Sequence, residues 1–459
     1  MKKTILAILI SATLTGCVAP KAFKSGDAAN QLIKSTQLTT DNSFSEQAST
    51  AAWWNQINDP ALQSLVEKAL KANWNIRTAS ARLEGAMASS QRVALDQDVS
   101  QSTSGSVARI KSPSAPSGYD DQIGLNYQIT WQADFWNKLS AGEAIAQAHS
   151  MVALYTLEDV QGIAVANVAK QYIAYKGMQE RIRIANGNVN NQKETVRLSQ
   201  LLLEAGISSE LDVVRAKAQL EQTKASLATL TYQLNSVERS LEILTGTLPG
   251  ELQAYLIGST GIPNLPKVIN IGNVSELLSN RPDIRIAEAR LKAQYANYNI
   301  TVADQYPSIT FAGSVGYSST NLADLSLNAL TGSIGPSIQW RGLNQSQIKT
   351  ELKQKDALIK EASIGFDQAM HAAVSDIQNG LDNFKSQQER RVHLAKTAKL
   401  SQKAALMAKE RYKLGTDAFI DVLQAEATRL AAEDALAQSN ITTAQSVIQI
   451  YEALGNSIQ

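Results

Sequence analysis

The chain has 459 residues, with 43 Lys and Arg against 42 Asp and Glu, and a formal net charge of +1. Because the two signs of charge are mixed along the chain, no basic patch indicates a nucleic-acid partner and no acidic tract indicates a disordered tail. Aromatic residues make up only 6% of the chain while Ala, Leu, Gln and Ser fill long stretches, which is typical of long helices.

The first predicted element is a secretory signal. Two lysines precede an apolar, acid-free run over residues 5–14, which is too short to cross a membrane as a helix. The run ends at Leu14-Thr15-Gly16-Cys17, which resembles the bacterial lipobox. We therefore predict a signal peptide at residues 1–16, and a covalent diacylglycerol and N-acyl lipid on Cys17 as the only cofactor. A buried free cysteine is the alternative interpretation.

The residue after the predicted lipidation site indicates the location. Val18 stands where many lipoproteins of the inner membrane carry a retaining aspartate. We therefore expect a lipid-anchored protein of the outer membrane of a Gram-negative bacterium, extending into the periplasm. Cys17 is the only cysteine, so an intramolecular disulfide is excluded.

The chain is an internal duplication. Residues 75–83 (NIRTASARL) match residues 283–291 (DIRIAEARL), and nearly the same offset aligns residues 206–246 with residues 415–455. A single offset over most of the chain indicates two copies of one unit.

The duplication and the prolines predict the domain boundaries. The segments are the signal peptide at 1–16, a lipidated extended segment at 17–60, a first repeat at 61–248, a linker at 249–275 and a second repeat at 276–459. The first repeat is expected to hold a helix, a β-hairpin at 99–132, a long helix at 138–204 and a helix at 209–247. In the second repeat the corresponding hairpin and helices are predicted at 307–341, 345–414 and 419–455.

The two long helices indicate a coiled coil or a helical barrel. None of the ten prolines lies between Pro116 and Pro249 or after Pro336. At 1.5 Å per residue, each long helix would extend roughly 100 Å, which is rare in globular proteins.

The last helix of each repeat carries heptad spacing, with a packing seam at alternating steps of three and four residues. In the first repeat the predicted seam is Leu220, Thr223, Leu227, Leu230, Leu234, Val237, Leu241 and Leu244. In the second repeat it is Ile420, Leu423, Ala427, Leu430, Asp434, Ala437, Ile441, Ala444, Ile448 and Tyr451. An ordinary amphipathic helix on a compact core is the alternative.

Between the helices the sequence period changes to two. Apolar residues alternate with Ser, Thr, Gly, Asn and Gln over residues 122–132, 309–318 and 333–340, and the repeat places a fourth strand at 99–110. Polar loops at 112–118 and 318–324 are predicted to close the two hairpins.

Strands of about ten residues with one apolar and one polar face are typical of a transmembrane β-barrel. A soluble two-sheet sandwich is the alternative, but four strands provide no second sheet to cover the apolar face. An open sheet leaves backbone groups unpaired in lipid, and the smallest barrels have about eight strands. The residues therefore predict association of two or of three copies.

The chain resembles the TolC-like outer membrane factors, in particular the lipidated branch that serves resistance-nodulation-division pumps. The resemblance extends from Cys17 to about Gly455 and rests on the order and spacing of several motifs. These are the lipobox, Trp53-Trp54, residues 59–62 (DPAL), 75–83, 131–136 (WQADFW) and 281–284 (RPDI), and the turns at Gly206 and Gly415. It implies a mostly α fold with a membrane β part. Each chain of a homotrimer would contribute four strands to a 12-stranded transmembrane β-barrel and its long helices to a coiled-coil α-barrel.

The resemblance also implies the function and the partners. The protein would be the outer-membrane channel of a tripartite efflux pump, a passive exit duct for drugs and toxic small molecules. Its partners would be a periplasmic adaptor (membrane fusion) protein, an inner-membrane pump of the resistance-nodulation-division type and outer-membrane lipid. Gly206, Ile207, Gly415 and Thr416 would lie at the periplasmic tips that contact the adaptor.

Positions that close the resting channel in this family map onto the same tips. Asp421 falls on an acid of the closing ring, and Asp212 with Tyr412 falls on a tethering pair. Gln424 replaces the second ring acid, and Asp417 replaces a tethering arginine. From the residues alone, Asp212 and Asp421 are equally well explained as ordinary first-turn acids, which the helix dipole favours by ~0.3–1 kcal/mol.

Catalysis is not expected. His149, His371 and His393 lie singly on predicted helices, without a second kind of metal ligand at motif spacing, so no metal site is predicted. Two other functions stay open: an exit duct for secreted polypeptides (type I secretion) on the same fold, and a structural periplasmic coiled-coil lipoprotein. The lipobox favours small-molecule efflux, because the polypeptide-exporting members of the family mostly lack it.

Overall fold

The computed structural model describes residues 19–23, 44–45, 52–95, 99–111, 113, 118–256, 261–263, 269–270, 278–319, 329–341 and 344–455. The predicted signal peptide and Cys17 lie outside the described residues, as does most of each predicted hairpin loop. The α-helices are α1 (Pro60–Ala72), α2 (Trp74–Leu95), α3 (Lys138–Glu204), α4 (Glu210–Thr245), α5 (Pro282–Ala303), α6 (Gln345–Lys413) and α7 (Phe419–Ala453). The four long strands are β1 (Ser100–Lys111), β2 (Tyr119–Ala133), β3 (Ser308–Ser319) and β4 (Leu330–Gln339).

These elements confirm the predicted mostly helical fold with one four-stranded antiparallel sheet. The long helices α3 and α6 have 67 and 69 residues, so they agree with the helices predicted at 138–204 and 345–414. Helices α4 and α7 end two residues before their predicted ends, because Gly246 and Gly455 adopt φ values of 63° and 65°. This left-handed conformation is common just beyond a helix end and suits glycine. Strand β3 extends to Ser319, which was predicted to belong to a loop.

The chain divides into two compact units, and each unit takes segments from both repeats. One unit includes residues 81–154 and 286–368, and the other includes residues 155–285 and 369–455. The repeats predicted at 61–248 and 276–459 are therefore not separate compact domains. The physical reason is that each repeat contributes one hairpin to a shared sheet and one pair of helices to a shared helical bundle.

The sheet of the first unit has the strand order β1-β2-β3-β4. Its register places Trp131 opposite Phe311 and Ile309 opposite Ile338, so the apolar residues of neighbouring strands share one face. That face is open in the chain: the side chain of Ile334 is 93% exposed. On the other face polar side chains meet, as where the hydroxyl oxygens of Ser314 and Ser333 lie 2.9 Å apart.

Ion pairs and hydrogen bonds join the ends of the strands to helices α3 and α5. Asp304, just past the end of α5, accepts hydrogen bonds from Lys138 at 2.6 Å and from Arg341 at 3.1 Å. The indole N–H of Trp136 donates to the carbonyl of Pro307 at 2.9 Å. Both hairpins are therefore fixed to the same helix end.

In the second unit, the sequence motifs near the N-terminus have structural functions. The carboxylate of Asp59 caps α1 by accepting from the backbone N–H groups of Ala61 at 3.0 Å and Leu62 at 3.1 Å. The hydroxyl of Tyr172 on α3 donates to the same carboxylate at 3.0 Å. The ring of Trp53 stacks on Tyr451 of α7 at a centroid distance of 4.9 Å.

The predicted seam of α7 is confirmed in the second half of the helix and wrong near its start. Ile441, Ile448 and Tyr451 are buried, whereas Ile420 is 50% exposed. In the first three turns of α7, the buried residues each lie one position before a predicted seam residue. They are Phe419, Val422, Glu426 and Arg429. The apolar pattern missed this face because two of its residues are charged and are buried as an ion pair. Among the described residues, no helix is long and apolar enough to cross a membrane.

Candidate functional site

The two helix turns that the sequence singled out have the same backbone structure. Gly206 and Gly415 adopt φ values of 74° and 73°. The backbone N–H groups of Ile207 and Thr416 donate to the carbonyls of Leu202 and Arg411, at 2.8 and 3.0 Å. This is the Schellman arrangement, which satisfies the last carbonyls of a helix and needs a left-handed residue. Each turn is therefore a rigid end of a helix pair, and Ile207 remains exposed on it.

Asp212 has a capping function in its turn. Its Oδ2 accepts from the backbone N–H of Ser209 at 3.2 Å, while the Ser209 hydroxyl accepts from the N–H of Asp212 at 3.3 Å. This reciprocal pair is a capping box at the start of α4. The ordinary first-turn function that the sequence left open is therefore the one that Asp212 performs within the chain.

Asp421 occupies the equivalent position of the second repeat but lacks this arrangement. The residue that starts α7 is Ala418, which has no side chain with which to cap the helix. Asp421 is exposed, and among the described residues no side chain or backbone N–H binds its carboxylate. Gln424, one helical turn further on, is exposed as well. The capping residue of the first repeat, Ser209, is thus replaced by Ala418 in the second repeat, and the carboxylate of Asp421 is exposed.

Tyr412 is buried at the end of α6 and links the two turns of the chain. Its ring lies 5.1 Å from that of Phe419 and packs in a small apolar cluster with Ala216 and Val422. Its hydroxyl donates to the hydroxyl of Ser208 at 3.2 Å, and Ser208 donates to Asp212 at 3.2 Å. Tyr412 and Asp212, which were predicted to form a pair, are therefore connected through a residue that the sequence analysis did not identify.

Asp417 also has a local partner. Its carboxylate accepts from Nε of Arg411 at 3.0 Å and lies 2.9 Å from Nη2 of the same residue. Because the arginine side chain is 61% exposed, the ion pair contributes little, about 0–1 kcal/mol, to stability. It connects the two sides of the second turn across Gly415.

Above the turns, α7 is held on α3 by two arginines that the sequence analysis did not select. Arg429 donates to Asn188 at 3.1 Å and to both Glu426 and Glu433 at 2.8 Å. Burial by itself would lower the pKa of the Arg429 guanidinium, but the two glutamates raise it above its usual value. Two hydrogen bonds join Arg181 to Asp434, at 2.8 and 3.0 Å.

Within the described residues, no group of three or more His, Cys, Asp or Glu side chains is placed to hold a metal ion. The site is therefore built from turns, caps and polar links between helices. Its exposed polar groups include the carboxylate of Asp421 and the amide of Gln424.

A family model described as outer membrane efflux protein matches residues 65–247 and 273–456 of the chain. The pyoverdine export outer membrane protein OpmQ of Pseudomonas aeruginosa is 25% identical over 420 residues, covering 89% of this chain and 87% of its own. The toluene efflux pump outer membrane protein TtgC of Pseudomonas putida is 25% identical over 471 residues, covering 99% and 96%.

Solved structures of similar fold include two outer-membrane channels. The channel OprN superposes with a TM-score of 0.85 at 29% identity, covering 96% of this chain and all of that chain. The MtrE channel of Neisseria gonorrhoeae superposes with a TM-score of 0.82 at 22% identity, over 96% of this chain. At 22% identity, the similarity to MtrE concerns the fold alone.

Proposed function

The chain belongs to the outer membrane efflux protein family, and on this basis we propose that it is the outer-membrane channel of a tripartite efflux pump. The family, the outer-membrane location and the efflux function predicted from the sequence are confirmed at this level. The finer proposal is a passive exit duct for drugs and toxic small molecules. It rests chiefly on one observation: a single chain combines an open sheet that has an exposed apolar face with very long helices that end in paired turns.

The edges of the sheet require association with further copies of the chain. Strands β1 and β4 each have one neighbour in the four-stranded sheet, so the outer edge of each lacks a strand partner within that sheet. In lipid, the backbone N–H and C=O groups along these edges must be paired. A closed barrel, which pairs them, needs about eight strands or more. Two copies would supply eight strands and three copies twelve; we propose a homotrimer, because three is the number that the resemblance to the TolC-like factors implies.

The helices also require neighbours. Ile420, Leu406 and Leu414 are 50%, 60% and 78% exposed in the single chain. Packing against helices of adjacent copies would remove these side chains from water, at roughly 1.5–3 kcal/mol for each that is fully buried. Ile420 of the predicted α7 seam, and Leu406 and Leu414 near the end of α6, are therefore assigned to contacts between copies.

The polar face of the sheet supports a duct for chemically varied molecules. Ser102, Gln128, Ser314 and Ser333 lie side by side across the four strands, so this face is polar and carries little charge. Such a lining is wet and provides no strong recognition. The relatives are named for substrates as different as toluene and pyoverdine, which agrees with a duct that selects little.

At the turns we assign two functions. Gly206, Ile207, Gly415 and Thr416 form the contact with a periplasmic adaptor protein, which connects the duct to an inner-membrane pump of the resistance-nodulation-division type. Asp421 and Gln424 line the closed opening, where three copies bring three carboxylates together. Like charges at short distance repel, and a multivalent cation would relieve the repulsion.

Cys17 is assigned a diacylglycerol and an N-acyl chain. The support is the lipobox at residues 14–17 and the short apolar run before it. Each buried methylene contributes about 0.8 kcal/mol, so several acyl chains give a stable anchor in addition to the sheet.

Deleting the gene tests the proposal. The deletion strain should accumulate a fluorescent pump substrate and become sensitive to toluene and to unrelated drugs, and the wild-type gene should reverse both effects. Mass measurement in detergent should give a trimer. Unchanged accumulation combined with the loss of an exported polypeptide would instead indicate the secretion duct. A monomer would contradict the closed barrel, and a dimer would indicate eight strands.

A further inference from the structure

We propose that an acyl chain attached to Cys17 lies in an apolar cavity of this protein, at the junction between the sheet and helices α3 and α5. The inference rests on the proposed lipidation of Cys17. The lipid would then fix the N-terminal segment to the strand ends in addition to anchoring the chain in the bilayer.

The cavity is suited to an alkyl chain. Its volume is about 500 Å³, within the range of roughly 300–1,000 Å³ typical of pockets that bury small ligands. Its walls are mainly aromatic and aliphatic: Phe135, Trp136, Tyr295, Val302, Ala303 and Tyr306. Phe135 is 64% exposed and Trp136 is 41% exposed, so large rings are left uncovered in the described chain. Alanines at positions 141, 144 and 296 keep the space between the rings open.

The described N-terminal segment, residues 19–23, leads into this cavity. The backbone N–H of Lys21 donates to the side-chain carbonyl of Asn299 at 2.9 Å, and the Asn299 amide donates back to the carbonyl of Lys21 at 3.1 Å. The side chain of Lys21 also forms an ion pair with Asp356. Two residues later, the ring of Phe23 lies 5.7 Å from Tyr295. The segment is therefore clamped along α5 and runs antiparallel to it.

This direction carries the chain towards the strand ends. From Phe23 back to Lys21, the contacts advance by one turn of α5, from Tyr295 to Asn299. Pro20 itself lines the cavity. Because three residues extend at most about 11 Å, the sulfur of Cys17 is within reach of the cavity that Pro20 borders.

The aromatic side chains around the cavity are of the kind found at the membrane–water interface, where an acyl chain would enter the protein. The rings of Trp131 and Phe311 stack at 5.7 Å near the end of the sheet. The indole N–H of Trp340 donates to the carbonyl of Gln305 at 3.0 Å. Aromatic rings with one polar atom directed to the backbone are typical of the membrane–water interface.

The charges at the rim favour the acyl chain of Cys17 over a bilayer phospholipid. Lys292 pairs with Glu288 at 2.9 Å, and Lys21 pairs with Asp356. Each lysine that lines the cavity thus has a carboxylate partner, which competes with a phosphate group for the ammonium. Covalent attachment also gives the Cys17 chain a high effective concentration at the cavity.

Photo-cross-linking tests the proposal on the full-length lipidated protein. Cells are grown with a palmitate analogue that carries a diazirine, and the purified protein is irradiated and digested. Mass spectrometry should find the N-terminal peptide joined through the acyl chain to peptides that contain residues 135–144 or 295–306. Ala144→Trp, which fills the cavity, should abolish this link. Ala88→Trp, at an exposed position of α2 outside the cavity, should preserve it.

Three other outcomes of this experiment are distinguishable, and each would overturn the proposal. Adducts with the mass of a phospholipid at residues 135–144, without the link to the N-terminal peptide, would identify a bilayer lipid. Absence of both adducts from a lipidated trimer would show that the acyl chain of Cys17 lies outside the cavity. A wild-type chain without label on Cys17 would overturn both the lipidation and this inference, while the accumulation assay tests efflux independently.

Discussion

The bond from Tyr412 to Ser208 offers the sharpest test of the proposal that the turns close the channel. Tyr412→Phe removes one hydrogen bond of 3.2 Å and keeps the ring beside Phe419, so the expected loss is ~0.5–1.5 kcal/mol. Asp212→Ala removes the capping box and the carboxylate that accepts from Ser208, and the expected loss of stability is ~0.5–2 kcal/mol. Since 1.4 kcal/mol corresponds to a factor of ten, each change should favour the open channel by about 2- to 30-fold.

Single-channel recording in planar bilayers measures this shift as the open fraction and the conductance. Because Ser208 lies between the other two residues, Ser208→Ala should reproduce the effect of Tyr412→Phe, and combining the two should add nothing further. Tyr232→Phe is the matched control, since this tyrosine is 68% exposed on α4. Effects of Tyr412→Phe and Ser208→Ala that add within ~0.3–0.5 kcal/mol would show that the two residues act independently and would refute the shared link.

Three further predictions concern the acid at the turn, the buried ion pair of α7 and the lipid anchor. Asp421→Asn should weaken block by a trivalent cation and leave the unfolding temperature unchanged, whereas Asp212→Asn should lower stability and leave the block intact; equal block in wild type and Asp421→Asn would place the gate elsewhere. Arg429→Met should lower thermal stability by ~3–5 kcal/mol because Glu426 stays buried without its partner. The exposed pair of Arg183 with Glu180 is the control, so Arg183→Met should cost only ~0–1 kcal/mol, and similar unfolding temperatures for the two variants would contradict the argument. Cys17→Ala should take up no labelled fatty acid and should reduce, without abolishing, the protein in outer-membrane fractions; label on this variant would reject the lipobox.

The sequence alone was sufficient where the physics is local and periodic. Absence of proline allows α3 and α6 to run unbroken to the turns at Gly206 and Gly415, and alternation of apolar with polar residues sets the faces of the strands. Both patterns depend on the geometry of a single helix or strand, so they can be predicted from one sequence without an alignment. The repeat placed the weakly patterned β1, which the structure has at Ser100–Lys111.

Only the tertiary structure separated residues that look alike in the sequence. Asp212 and Asp421 occupy equivalent positions, but Ser209 caps one helix and Ala418 cannot cap the other, so only Asp421 is left open. The buried face of α7 was misjudged because Arg429 and Glu426 neutralise each other when they are buried together. Ser208 gained its linking position from Tyr412, 204 residues away in the chain. Hydropathy and spacing describe single residues along one element, whereas caps, buried ion pairs and links between turns depend on which partners folding brings together.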